Sequence, residues 1–308
     1  EIVNLEDGRQ IITDNDPRAV YGISSTGCSL TPERFTPSEA MDKKVLVPVI
    51  DETIADDVKG MFYCFGDGII YDHKENDMCV QLDFSFGQFV GAMAGDGWVS
   101  NRSQMCFSDA EGFNIKFIVD YLKESAFPDM TVARYEAHKE VGDGRYGDTV
   151  LYRLNLGSNC FCDCMKDLFD GHRDERKSGS ANKRLPIWYQ FAGKDFIKGL
   201  VNGLIATDGT ACISRAKSKP QLQISFSSTS LKLIREFRRC CQLLGVKSSI
   251  SFSKNTSRGN KSWICSVSTI DAKRIGLLDK CCNERKRIVF ESTNVNMSAT
   301  FVKNDIVP

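Results

Sequence analysis

Two aspartates stand in matching positions of this chain. Asp96 closes the stretch Phe89-Val90-Gly91-Ala92-Met93-Ala94-Gly95-Asp96-Gly97, and Asp208 closes Val201-Asn202-Gly203-Leu204-Ile205-Ala206-Thr207-Asp208-Gly209. Extended upstream, Asp83–Gly97 aligns with Asp195–Gly209 without a gap at an offset of 112 residues, with seven identities in fifteen positions. A duplicated segment of this kind marks an internal repeat. Two carboxylates brought close together repel unless a proton or a cation is shared between them. A divalent ion meets that need, because Mg²⁺ is commonly held by one or two carboxylates with water and phosphate oxygens completing its shell. The plainer reading is that each Asp caps the turn that follows it, which leaves the duplication unexplained.

The elements that must position this pair are legible around it. Gly87, Gly91 and Gly95 recur every four residues, as do Gly199, Gly203 and Thr207. That spacing lines one helix face with small groups and lets a second backbone approach closely. The surrounding residues are apolar, so the spacing predicts two buried helices packed on each other, stopped by Gly97 and Gly209. Asp96 and Asp208 then fall at adjacent ends of the pair.

Downstream, each motif is followed by the same pattern. After the first, "WVSNRSQMCFS" predicts a strand pair, "EGFNIKFIVDYLKESA" a helix, "TVARYEAHKE" and "DTVLYRLNL" strands, and "CFCDCMKDLF" a helix. After the second, "ACISRAKSKPQLQISFS" splits at Pro220 into two strands. "SLKLIREFRRCCQLLG" is a capped helix ending at Gly245, "KSSISFSKN" and "SWICSVSTI" are strands, and "DAKRIGLLDKCC" is a helix. The expected fold class is α+β, with two αββαββα repeats whose four-stranded sheets lie beneath the helix pair.

Composition adds a polyanion. The chain has 308 residues and no formal net charge, yet residues 209–308 carry a net of +12 and residues 1–208 a net of −12. A basic third suggests a polyanionic partner, or else a lysine-rich solvated face. Thirteen cysteines in irregular spacing, with adjacent pairs at 240–241 and 281–282, read as free thiols in a reducing compartment. No CxxC pair is present, so a structural zinc site is not expected. No apolar run reaches membrane-span length and no signal peptide opens the chain. "EIVNLEDGRQ" reads as the middle of a strand and turn, as in an excerpt of a longer protein.

At the two motifs the chain resembles the LAGLIDADG homing endonucleases in their monomeric two-repeat form. Each copy has Ala, at Ala94 and Ala206, where the first Asp of the signature stands, and keeps the last acidic residue. A second layer of resemblance is to intein-borne endonucleases. "VNLEDGRQIITDNDPRAVYGI" and "FTPSEAMDKKVLVPV" look like a partial all-β, Hint-like splicing segment over residues 1–50. Thr13 is in place, but Asp16 stands where a histidine is expected. The Cys or Ser that opens an intein and the Asn that closes it are absent, so this chain is not expected to splice. "SANKRLPIWYQF", with Lys183 and Pro186, resembles the block before the second motif, and "FVKNDIVP" a return strand at 301–308. The implied organisation is a linker or accessory strands at 51–83, a first repeat at 84–182 and a second at 183–300. The repeats would be pseudo-symmetric and form a DNA-binding saddle.

The resemblance implies that Asp96 and Asp208 hold Mg²⁺ (or Mn²⁺) at the scissile phosphates of double-stranded DNA. It implies a lysine near each site. Lys183 carries that role from the block match, and Lys286 in "CCNERKRIVF" is the choice for the other half, with Lys261 and Lys254 as rivals. Helix-interface residues are Gly87, Gly91, Gly95, Gly199 and Gly203. Strand side chains alternate, so only every second residue reaches DNA. Candidate contacts are Arg102, Arg134, Lys139 and Arg153 in the first half. In the second they are Arg215, Lys217, Lys219, Lys254, Arg258 and Lys261, the first three alternating onto one face. The expected function is a metal-dependent, intein-encoded endonuclease cutting both strands of a long site, as an intracellular monomer in the cytoplasm or a eukaryotic nucleus. The alternatives are a degenerate DNA-binding module of the same fold and a self-splicing protein with a vestigial nuclease.

Overall fold

The computed structural model describes residues 79–101, 104–125, 127–141, 145–157, 161, 162, 165, 180–186, 189–214, 221–253 and 262–293, with strand backbone also at 2–4, 10–12, 20–26, 29–35, 44–45 and 62–64. Two compact units divide between Glu52 and Thr53.

In the first unit, β1 (Ile2–Asn4) pairs antiparallel with β2 (Gln10–Ile12), with Asn4 opposite Gln10. The LEDGR stretch falls between them in sequence and lies outside the described residues. β3 (Val20–Thr26) and β4 (Ser29–Phe35) form a hairpin, and β5 (Lys44–Val45) pairs on the other side of β3. Thr13 and Asp16 lie outside the described residues.

The second unit opens with a small pair, β6 (Phe62–Cys64) and β7 (Cys79–Gln81). α1 (Phe84–Asp96) follows, started by Asp83, whose carboxylate accepts from the Phe86 N–H at 2.8 Å. Next come β8 (Gly97–Asn101), β9 (Gln104–Ser108), α2 (Phe113–Ser125), β10 (Thr131–Val141) and β11 (Arg145–Asn155). The second half repeats this order with α3 (Lys194–Ala206), β12 (Gly209–Ser214), β13 (Gln221–Ser228), α4 (Leu231–Leu243), β14 (Ser248–Ser253) and β15 (Ser262–Val267). The strand orders also agree: β8-β9-β11-β10 in one sheet and β12-β13-β15-β14 in the other, all neighbours antiparallel.

Local signals explain the elements. Ser230 caps α4 by accepting from the Leu233 N–H, and Gly245 leaves it in the left-handed region at φ +69°. β13 alternates strictly, with Leu222, Ile224 and Phe226 buried between exposed Gln221 and Gln223. Those side chains join Met105, Phe107 and Leu154 of the first sheet in one hydrophobic core with the helices. Among the described residues no helix is long and apolar enough to cross a membrane. Cys106, Cys162, Cys212, Cys240, Cys241, Cys265, Cys281 and Cys282 are free thiols.

α1 and α3 pack backbone to backbone. A Cβ on Gly87 would lie 2.1 Å from the Phe196 carbonyl oxygen, one on Gly91 2.2 Å from that of Leu200, and one on Gly199 2.0 Å from that of Phe84. The small-residue spacing therefore serves the helix–helix contact. Gly97 and Gly209 follow the helices for a steric reason rather than a left-handed turn. A Cβ on Gly209 would lie 2.5 Å from the Ile205 Cα, and φ at Gly97 is −95°.

The last helices differ from the sequence reading. Phe161, Cys162 and Met165 are helical and buried; the rest of "CFCDCMKDLF" lies outside the described residues. The helix predicted over "DAKRIGLLDKCC" is confined to α5 (Thr269–Arg274), since Gly276 at φ +59° turns the chain. A further helix, α6 (Glu284–Ser292), is then started by Asn283, whose side-chain oxygen accepts from the Lys286 N–H.

Candidate active site

Asp96 is the last residue of α1, and Asp208 lies two residues past the end of α3. A Cβ on Gly95 would lie 2.0 Å from the Thr207 hydroxyl oxygen, so the two helix ends touch one residue before each aspartate. The fold thus delivers the two carboxylates to one place. Among the described residues neither carboxylate accepts a hydrogen bond, so neither caps the turn that follows it.

Their electrostatics record the crowding. Burial, and then the charge of Asp208, push the Asp96 carboxyl up to about 7, against the opposing pull of Lys183 and Lys286. Asp208 is more open to solvent, but the surrounding protein still strips enough water from it to push its carboxyl above the ordinary range, and the same two lysines oppose the shift. Lys183 and Lys286 therefore lie within electrostatic reach of both aspartates, and the structure brings all four residues together.

The lysines are anchored to helix ends. Lys183 donates through Nζ to the carbonyl of Gly95, at the end of α1. Lys286 donates to the carbonyls of Ile205 at 2.8 Å, Ala206 at 2.8 Å and Thr207 at 3.0 Å, at the end of α3. An ammonium has three donors, so Lys286 spends all of them on main-chain carbonyls. A cation also favours the negative end of a helix. Lys286 is 6% exposed, and burial lowers its pKa. Two residues missed in the sequence reading help it. Asn114 Nδ2 and Asn283 Nδ2 both donate to the Ala206 carbonyl, at 3.2 and 3.3 Å. Asn283 had a signal as the polar residue before a charged helical run, but Asn114 is one of several polar residues of α2 and had none. The buried Asp109, also missed, accepts from the N–H groups of Glu111, Gly112 and Ile115 and so fixes the start of α2.

The donor set suits a divalent cation. Two carboxylates that repel each other and have no hydrogen bond among the described residues offer anionic oxygen ligands. Among the described residues no group of three or more His, Cys, Asp or Glu side chains stands ready to enclose a metal. The remaining coordination positions would fall to water and a phosphate, as Mg²⁺ prefers.

This geometry predicts a pH-dependent stability. In the unfolded chain Asp96 titrates near 3.8, and in the fold near about 7. A raised carboxyl contributes stability that is fully present below the unfolded value and is lost as pH rises through the folded one. Asp96→Asn stays neutral, so it should flatten that slope. At about pH 8, without divalent ions, it should raise the melting temperature by roughly 2–4 °C for each kcal/mol of relieved repulsion. Parallel thermal melts of both proteins at about pH 5 and about pH 8 would check this, and equal slopes would contradict it.

The sheet faces away from the helices are less uniform than expected. In the first sheet, register places Arg153 opposite Ala133 on one side and Cys106 on the other, with Trp98 beyond Cys106. The Arg153 guanidinium lies 5.0 Å from the Tyr135 ring centre, and its buried Nε has no hydrogen bond among the described residues. Arg134 is opposite Tyr152, on the face that carries Phe107 and Leu154, and pairs with Glu136 at 2.6 Å. Arg134 and Arg153 thus do not share a face, because residues one apart in register alternate. Lys139 sits opposite Gly147 in β10, with its side chain outside the described residues. In the described strands of the second sheet no residue is charged, and the outward face carries serine, glutamine and threonine with Cys212 and Ile264. Arg215, Lys217 and Lys219 fall in sequence between the described strands β12 and β13, and Lys254, Arg258 and Lys261 between β14 and β15. These six and Arg102 lie outside the described residues.

With the helix pair, the carboxylates and the strand order in view, the comparison with known families is direct. Residues 195–276 match the family model of the LAGLIDADG-like domain. That span holds α3, the second sheet and α4, and the first copy lies outside it. No curated protein matches the chain in sequence. Among solved structures it is similar to a mesophilic variant of the homing endonuclease I-DmoI, at 14% identity and a TM-score of 0.39, over 66% of this chain and 99% of that one. It is also similar to the homing endonuclease I-WcaI bound to its DNA recognition sequence, at 14% identity and a TM-score of 0.45, over 70% of this chain and 89% of that one.

Proposed function

We propose that this chain is a site-specific DNA endonuclease of the homing type, carried by an intein, which hydrolyses both strands of a long duplex target. One observation carries the reading: equivalent positions of a duplicated segment place two carboxylates side by side at touching helix ends. The LAGLIDADG-like match over the second copy supports it. Asp96 and Asp208 would hold Mg²⁺ or Mn²⁺. Such an ion, when bound, stabilises charge on the phosphate and lowers the pKa of a coordinated water. The protein's own contribution is to keep the two carboxylates adjacent, to hold the helix ends through Lys183 and Lys286, and to offer the outer sheet faces to DNA. One chain supplies both carboxylates, so we read the active form as a monomer whose two copies are related by a pseudo-two-fold axis along the helix pair.

The test is cleavage of a supercoiled plasmid carrying the uninterrupted host site, identified from the coding sequence that flanks this chain. Linear product with Mg²⁺, and none with EDTA, supports the reading. DNA held tightly but left uncut would instead favour a binding module of the same fold. Because cations contact phosphates, affinity should fall steeply with salt, by about one decade of affinity per decade of salt for each phosphate neutralised.

A further inference from the structure

The chain between α5 and α6, residues 275–283, runs across the helix pair and is held there by side chains from both helices. Lys198 Nζ donates to the Ile275 carbonyl at 2.7 Å. Asn202 Nδ2 donates to the Leu277 carbonyl and, at 2.8 Å, to that of Lys198. Gln88 Nε2 donates to the Lys280 carbonyl at 3.1 Å. Within it, Leu277, Leu278 and Cys281 are fully buried. At its far end Cys282 Sγ reaches Asn114 Oδ1 at 3.5 Å, and Asn114 in turn holds the Ala206 carbonyl. The segment then starts α6, which carries Lys286.

The repeat shows what these polar groups are for. Lys198, Leu200 and Asn202 of α3 occupy the positions of Phe86, Gln88 and Val90 in α1. At each of the three positions one copy is polar and the other apolar, so the helix contact itself does not require the polar group. Burying an amide costs free energy unless it is paired, and Asn202 is 0% exposed while Gln88 is 2% exposed. Each polar choice coincides with a carbonyl of the 275–281 chain.

We infer that Gln88, Lys198 and Asn202 are positioning residues that clamp residues 275–283 as a strap across the helix pair. The strap sets Lys286 and Asn283 on the terminal carbonyls of α3 and thereby fixes Asp208. Its consequence for catalysis rests on the nuclease reading; its mechanical part does not.

The test is hydrogen exchange on the full chain, read by peptide, for Asn202→Val, which restores the residue of the first copy. Lys198→Met, at a less buried position, serves if the first variant folds poorly. Lys286→Met is the reference. We expect each to speed exchange over residues 203–210 about tenfold while residues 87–95 keep their protection, because release is local. With cleavable DNA, Asn202→Val should slow one strand at least about tenfold more than the other at unchanged affinity, a split that general loosening would not give. Unchanged exchange at 203–210 in both strap variants, where Lys286→Met raises it, would overturn the inference. So would a rise spread equally over both helices. If the unaltered protein cuts no DNA, the nuclease reading fails, and the exchange pattern still decides the strap.

Discussion

Asp208→Asn is expected to bind target DNA as well as the unaltered protein and to convert supercoiled plasmid to a nicked circle rather than to linear product. The amide is isosteric and neutral, and it cannot supply the anionic oxygen that a divalent ion takes. The carboxylate accepts no hydrogen bond among the described residues, so its loss leaves no buried partner unsatisfied. It also relieves a repulsion, since Asp208 is the second-largest influence raising Asp96. Folding and binding should therefore survive, while cleavage of the strand served by this carboxylate falls by about 10³-fold or more, the scale of losing a dominant electrostatic contribution. Asp96→Asn should spare the opposite strand, and the double variant should cut neither. Strand-specific end labelling reads all three. Double-strand cutting by Asp208→Asn at the normal rate would remove Asp208 from the chemistry.

The parts of this site that the sequence revealed are those written in short, local patterns. The glycine spacing at 87, 91, 199 and 203 stated a backbone contact, and the structure has it within van der Waals limits. The duplicated aspartates stated that two carboxylates meet. Strand pairs and helices followed from periodicity and from caps such as Ser230. What stayed hidden depends on tertiary partners. Lys286 was one cation in a basic run until the fold set its ammonium on three carbonyls of α3. Asn114 and Asn202 had no local pattern to set them apart from the other polar residues of their helices, and their partners lie 92 and 75 residues away. Arg134 and Arg153 looked interchangeable, because the face a strand residue takes is set by register with its neighbour. α6 was missed because its charged sequence lacks a strong apolar face, and packing against β12 stabilises it instead.

The repeat also shows that identical residues need not do identical work. Asp83 caps α1, whereas its counterpart Asp195 lies exposed within the first turn of α3, a helix that starts from Gly193 at φ +85° without a side-chain cap. In the first turn a carboxylate gains only from the helix dipole, about 0.3–1 kcal/mol. Identity across the copies therefore points to a shared role only where the two residues also come together, as Asp96 and Asp208 do.

Gly203→Val should abolish the fold, and with it both activity and binding. A Cβ at this position would lie 2.2 Å from the Gln88 carbonyl oxygen, 2.5 Å from the Ala92 nitrogen and 2.8 Å from the Gly91 carbonyl carbon. All three are main-chain atoms of α1, so no rotamer change relieves the clash, and the helices must separate. Overpacking of a core costs about 1–3 kcal/mol where side chains can yield. Here separation would also open the contacts around Phe86, Phe196 and Leu200, which are at most 1% exposed. The total should exceed about 4 kcal/mol, a large part of the stability of a typical domain. Gly95→Ala gives the contrast. Its Cβ would meet the hydroxyl and Cβ of Thr207, a side chain that can turn away or be shortened. It should therefore cost less, and Thr207→Ala, which removes the hydroxyl that the new Cβ would meet at 2.0 Å, should recover part of the loss. Circular dichroism and denaturant midpoints would rank the variants, and a cooperatively folded Gly203→Val with the normal midpoint would refute the backbone contact. Because the same contact brings the helix ends together, the proposed metal site predicts that Mg²⁺ raises the melting temperature of the unaltered protein and raises that of Gly95→Ala less. A spread between Asp96 and Asp208 weakens their joint hold on one ion before it unfolds the chain.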